Sequence, residues 1–327
     1  MVVKSAGKTD VGVVRKSNED CIKILPEKNL FIVCDGMGGH NAGEVASGAA
    51  CEMVSALYSR SFDSLLGDEK LRLPRMFPPS TDVLVKAVRI ANHNIFRRAE
   101  ADSSLAGMGT TIVAAAIEKD IITLLHVGDS RIYHYRNRTL TPLTIDHSWA
   151  ATLEQTENIS AEEARTLVNR NIITRALGVK ETVEIDVAVR KIQENDTYIL
   201  CSDGLCGYVE DADIREVLTE SGGDLNQAVT HLIQMANDRG GLDNVSVVAL
   251  AIDGRVEPSD LHKIDTVTID AEPPEYFETE RQWGTSAIES PPQPEEPSPG
   301  RKKPAGWIGI ALLVALMAVI LYIISKN

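Results

Sequence analysis

The chain has 327 residues, 43% of them hydrophobic, with a formal net charge of −14 and a pI of about 5.0. That length serves one large domain or two ordinary ones, and the apolar share suffices for a globular core. An acidic balance of this size argues against general nucleic-acid binding, which is led by attraction to phosphates. It does not argue against a phosphorylated substrate, because bound divalent ions reverse the local sign of an acidic pocket.

Residues 1–10 lack the apolar stretch of a secretory leader. Taken in chain order, the runs 30–34, 111–117, 121–127, 131–135, 183–189, 197–201 and 245–252 read as strands. Residues 43–59, 82–101 and 224–238 read as helices, and 160–169 as a short one with Ser160 as N-cap and Glu163 three residues on. Several strands follow one another across short turns such as 118–120. That spacing predicts an α+β fold of antiparallel sheets with helices packed outside them. Five cysteines, Cys21, Cys34, Cys51, Cys201 and Cys206, form no C-x-x-C pair. They read as buried, reduced thiols, consistent with a reducing compartment.

Composition shifts near residue 254. Residues 254–304 hold nine of the fourteen prolines and many acidic side chains, and they read as a disordered linker. Within that stretch, 265–270 is a candidate for a brief strand. Residues 305–324 carry no charge. As a helix they would cover about 30 Å, the hydrocarbon thickness of a bilayer. Arg301, Lys302 and Lys303 precede the run and only Lys326 follows it, which puts the main domain on the cytoplasmic side. Trp307 and Tyr322 suit the two interfaces. The expected plan is a catalytic domain at 1–253, a linker at 254–304, a single transmembrane helix at 305–324 and an extracytoplasmic tail at 325–327.

One device recurs four times: an aspartate where an apolar strand meets a glycine turn. Asp35 follows 30–34 and precedes Gly36. Asp129 follows Gly128. Asp203 follows 197–201 and precedes Gly204, and Asp243 stands between Gly241 and the strand 245–252. Strands hold such side chains rigidly, and glycines let backbone and solvent approach. Hard divalent ions take carboxylate, carbonyl and water oxygens, and two of them about 4 Å apart activate a bridging water for in-line attack on phosphorus. A lone Asp-Gly is usually just a turn; four aspartates in such settings weaken that reading greatly.

These residues resemble the metal-dependent PPM-type (type-2C class) protein phosphatases in their bacterial form. The likeness covers residues 4–253. It is carried, in order, by Arg15-Lys-Ser-Asn-Glu19-Asp20, Asp35-Gly-Met-Gly-Gly-His40 with Ala42-Gly43-Glu44, Gly107-Met-Gly-Thr-Thr111, Val127-Gly-Asp-Ser-Arg131, Leu143-Thr-Ile-Asp-His-Ser148, Ile173-Thr-Arg-Ala-Leu-Gly178, Cys201-Ser-Asp-Gly-Leu205 and Asp243-Asn-Val-Ser246. The resemblance implies a central sandwich of two mainly antiparallel sheets flanked by helices (αββα). It implies hydrolysis of phosphoserine and phosphothreonine by direct attack of a metal-bridging water, with two Mn²⁺ or Mg²⁺ ions and a third, weaker one.

It also implies residue roles. Asp35 bridges the two metals and the Gly36 carbonyl binds one. Asp203 and Asp243 complete that shell, while Asp20 and Glu19 act on the other side. Asp129 joins Asp203 at the third ion. Arg15 grips the substrate phosphate, a task that suits the guanidinium fork. His40 is the nearest candidate for the general acid. In other branches a histidine directly follows Asp-Gly, where this chain has Met37, and a metal-bound water is the alternative donor. His93, His126, His134, His147 and His231 read as structural. The segment 146–170 matches a flap beside the site. Implied partners are phosphoprotein substrates, a cognate Ser/Thr kinase and, through 305–324, the membrane. Two other functions compete with this one: a catalytically dead phosphoprotein-binding module, disfavoured because no metal aspartate is missing, and a phosphatase of small esters.

Overall fold

In a computed structural model of the chain, the described residues are 1–38, 42–60, 77–156 and 172–270. They fall in one compact unit. The expected helix at 160–169, the transmembrane helix at 305–324 and His40 lie outside the described residues. Among the described residues, no helix is long and apolar enough to cross a membrane.

Twelve strands, β1 (Val2–Asp10), β2 (Asp20–Leu25), β3 (Leu30–Met37), β4 (Gly109–Thr110), β5 (Ile112–Glu118), β6 (Ile121–Val127), β7 (Arg131–Arg136), β8 (Thr139–Pro142), β9 (Ile185–Lys191), β10 (Thr197–Cys201), β11 (Val245–Asp253) and β12 (Ile264–Ile269), form two sheets. One runs β1-β11-β10-β7-β8 and the other β12-β9-β6-β5-β3-β2, with β4 added beside β3. Every pairing is antiparallel. Six helices are described: α1 (Ala42–Arg60), α2 (Pro79–Ala101), α3 (Trp149–Thr156), α4 (Asp203–Cys206), α5 (Asp211–Glu220) and α6 (Leu225–Asp238).

The two-sheet sandwich explains the uninterrupted apolar runs. Alternate residues of a strand point to opposite faces, and here both faces are covered. Phe31, Val33, Tyr198, Leu200, Val248 and Leu250 meet between the sheets. Leu30, Ile32 and Cys34 face the other way, against α1 and α2. Ile199, Cys201, Val247 and Ala249 pack on α5 and α6. Helix α6 earns its place by pattern: Leu225, Ala228, Val229, Leu232, Ile233 and Ala236 are its buried face. Asp224 caps it by accepting the Gln227 N–H at 3.0 Å.

Order continues past Asp253, where the linker was expected to begin. Ser259 N–H donates to Asp120 Oδ2 at 2.9 Å, and Lys191 Nζ donates to the same oxygen. Arg190 Nη1 donates to the Ile264 carbonyl at 2.7 Å. Strand β12 then pairs with β9, so the candidate strand at 265–270 is an edge of the second sheet.

Candidate metal and phosphate site

The sandwich places the ends of β3, β6 and β10 beside the starts of β2 and β11, because antiparallel neighbours reverse direction. Asp35 stands in β3 directly across from Asp20, the first residue of β2. Asp203 opens α4 just after β10, Asp129 follows β6, and Asp243 precedes β11. The five expected metal aspartates are thereby brought to one edge of the sandwich.

Their electrostatics reflect that gathering. Burial, and then the charges of Asp20, Asp203, Asp129 and Asp243, hold the Asp35 carboxyl well above the usual carboxylate range. Burial raises Asp20 to about 6 against the pull of Ser246 and Ser202. Burial, with Asp203 and Asp146 nearby, pushes Asp129 up to about 8. Asp203 is raised by burial and by Asp243, and Glu19 is raised chiefly by burial. Asp20 is 8% exposed and Asp129 7%. Their Oδ1 atoms have no hydrogen-bond partner among the described residues. Buried carboxylate oxygens without a donor are costly. A cluster of oxygen-only donors that repel one another and leave lone pairs unspent fits a hard divalent cation.

Gly36 sits where the backbone is tightest. A Cβ there would land on the Gly43 carbonyl oxygen and on the Glu19 carbonyl, and its N–H donates to Glu19 O at 3.1 Å. Only a glycine lets β3 pass between the loop of Glu19 and the start of α1. Arg15 lies on the β1–β2 loop, where its Nη2 donates to Asp243 Oδ2 at 2.9 Å. The guanidinium is about half exposed, in reach of an anion arriving from solvent.

Several residues that hold this cluster had no role assigned from sequence. Asn244 accepts the Glu19 N–H at 2.8 Å through Oδ1 and donates through Nδ2 to Val11 O at 3.0 Å and Ser17 O at 2.9 Å. It fastens the Arg15 loop to the start of β11. Ser202 Oγ donates to Asp20 Oδ2 at 2.8 Å and accepts the Ser246 N–H at 3.0 Å. Thr111 Oγ1 accepts the Asp35 N–H at 3.0 Å. All three lie inside the motifs quoted above. For Asn244 and Ser202 the signal was a polar residue beside an aspartate, which a sequence cannot separate from an ordinary turn; Thr111 adjoins none, and only the fold brings it to Asp35.

A second group, His126, His147 and Asp186, also brings possible ligand atoms together. Those atoms are already used. His126 Nε2 donates to Gly128 O at 2.8 Å, His147 Nδ1 accepts the Gly128 N–H at 3.1 Å, and Asp186 accepts from His147, Arg175 and Thr268. Burial lowers His126 to about 3, which keeps it neutral. The group braces the Gly128 turn before Asp129.

Comparison with known proteins gives a consistent result. The sequence pattern described as Protein phosphatase 2C matches residues 15–245. The serine/threonine phosphatase stp of Listeria monocytogenes is 38% identical over 249 residues, covering 75% of this chain and 94% of the relative. The crystal structure of the Mycobacterium tuberculosis serine/threonine phosphatase PstP/Ppp superposes with a TM-score of 0.67 at 35% identity, covering 78% of this chain and 100% of that one. The catalytic domain of PstP in complex with two manganese ions superposes with a TM-score of 0.66 at 35% identity, covering 77% and 99%.

Proposed function

Because the chain belongs to the protein phosphatase 2C family and is a metal-dependent Ser/Thr protein phosphatase, we propose that it hydrolyses phosphoserine and phosphothreonine at the edge where Asp20, Asp35, Asp129, Asp203 and Asp243 converge beside Arg15. That convergence is the observation that carries the reading. Asp20, Asp35, the Gly36 carbonyl, Asp203 and Asp243 would hold two Mn²⁺ or Mg²⁺ ions, with Asp129 and Asp203 at a third. The PstP relative with two manganese ions supports this assignment. Bound there, such ions supply a water of lowered pKa for direct attack on phosphorus and neutralise charge on the phosphoryl oxygens.

The chain's own residues do the rest. Arg15 takes the phosphate oxygens with its guanidinium fork, and Asp243 orients it through the 2.9 Å bond. Asn244 sets the reach of Arg15 by pinning both ends of its loop. The departing seryl or threonyl oxygen needs a proton, and His40 is the candidate donor. We also read residues 305–324 as a membrane anchor that holds the enzyme at the cytoplasmic face, on the strength of their charge-free length and the basic residues before them. Phosphoproteins at that face, and a Ser/Thr kinase that makes them, are the corresponding partners.

The site is tested by Asp203→Asn and Asp35→Asn. Each is expected to abolish manganese-dependent turnover of a phosphothreonine peptide while circular dichroism matches the parent and the metal-free melting point does not fall. Full activity in Asp203→Asn would sink the assignment.

A further inference from the structure

The loop that carries Arg15 presents apolar side chains to solvent on a rigid support. Val13 is 67% exposed, Val14 59% and Leu242 54%. Single exposed hydrophobes are ordinary, but these stand on two loops that are bonded to each other. The N–H groups of Val13 and Val14 both donate to the Gly241 carbonyl, at 2.8 and 3.2 Å. The close approach depends on two glycines with positive φ. At Gly12 (φ +78°) a Cβ would strike the Asp243 carbonyl, and at Gly241 (φ +50°) it would strike Val13. Asp10 Oδ1 accepts both the Gly12 N–H at 2.9 Å and Asn237 Nδ2 at 3.1 Å, and Asn244 holds the far side at Val11 O and Ser17 O. The exposure is therefore not fraying.

Along both loops the apolar residue comes just before a charged one. Val14 precedes Arg15, Leu242 precedes Asp243, and the two charged residues are bonded at 2.9 Å. A peptide whose phosphate is held by Arg15 has this ground within reach of its neighbouring residues. We propose that Val13, Val14 and Leu242 form a specificity surface for the substrate chain, selecting phosphoresidues with apolar side chains next to them in sequence. The selection rests on the phosphopeptide reading of the site given above. Val13, Val14 and Leu242 themselves offer acidic neighbours no charge to pair with. Apolar neighbours lose water-exposed area on both sides of the contact.

The test uses the full-length enzyme with manganese, the double variant Val13→Ser/Leu242→Ser, and three substrates: a phosphothreonine peptide flanked by valine and leucine, one flanked by glutamates, and p-nitrophenyl phosphate. The parent is expected to prefer the apolar peptide by about tenfold in kcat/KM, the size of effect expected when one to two apolar side chains are partly buried. The variant should lose that preference, through KM, with p-nitrophenyl phosphate turnover within twofold of the parent and an unchanged melting point. Equal treatment of the two peptides by the parent, or an unchanged preference in the variant, would overturn the proposal. So would a variant effect that vanishes on dilution of the enzyme, because that places a second copy of the chain on the surface. Turnover of p-nitrophenyl phosphate with neither peptide cleaved is the separate result that would remove the phosphopeptide reading itself.

Discussion

At the scale of the residue, the site is an arrangement of like charges that the fold forces together. Asp20 and Asp35 occupy facing positions of one antiparallel pair, where like charges destabilise. A carboxyl raised in the folded state binds more protons folded than unfolded, so it lowers stability as pH rises from the unfolded value, about 3.9, to the folded one. With Asp20 at about 6 and Asp129 at about 8, the metal-free protein should melt at progressively lower temperature between about pH 5 and pH 8. Manganese should flatten or reverse that slope; a metal-free melting point that climbs across this range would contradict the reading. The metal aspartates were legible in the sequence because each sits between an apolar run and a glycine. Asn244, Ser202 and Thr111 were not, since the backbone groups they satisfy come from residues as distant as 233 positions along the chain. His40 was legible as a candidate only, and it lies outside the described residues.

At the scale of the element, the covered strands were the readable ones. Strands β6 and β10 fall at the residues expected for them, β3, β7 and β11 run on by one to three residues at the C-terminal end, and β5 and β9 are shifted at both ends by one and two residues. Strand β1 went unread because only Ala6 is buried along its length, and β2 because most of its residues are only partly covered. Both are edge strands, and an edge gives composition less to show. Helix α5 was missed for the same reason: Ile214, Val217 and Leu218 are its only buried residues. The stretch after Asp253 reads as linker by composition, yet its candidate strand at 265–270 was legible and pairs with β9 as β12. A chain ended at Asp253 would expose the edge of β9 and strip Ser259 from Asp120. It should melt lower than a chain ended at Asp270 by roughly 5 °C, the shift made by a loss of about 2 kcal/mol in a domain of this size. Equal melting points would mean that residues 254–270 add nothing to the fold.

At the scale of the whole molecule, the described residues and the proposed anchor make separate demands. A chain ended at Asp270 should leave the membrane fraction on cell breakage and keep its turnover of a phosphothreonine peptide; retention of that fragment with membranes would refute an anchor at 305–324. Within the folded unit, the functional groups run from Arg15 to Asn244, and β1 pairs only with β11, Val2 against Asp253. Such distant pairings fold slowly, because the chain between them must be closed first. They also set an order of birth. While the ribosome is still making the protein, Arg15 and Asp20 emerge first and wait, with β1 unpaired, until Asp243, Asn244 and the strand after them appear. No shorter nascent chain contains both halves of the phosphate grip, so catalytic competence arrives only as the last strand of the first sheet closes.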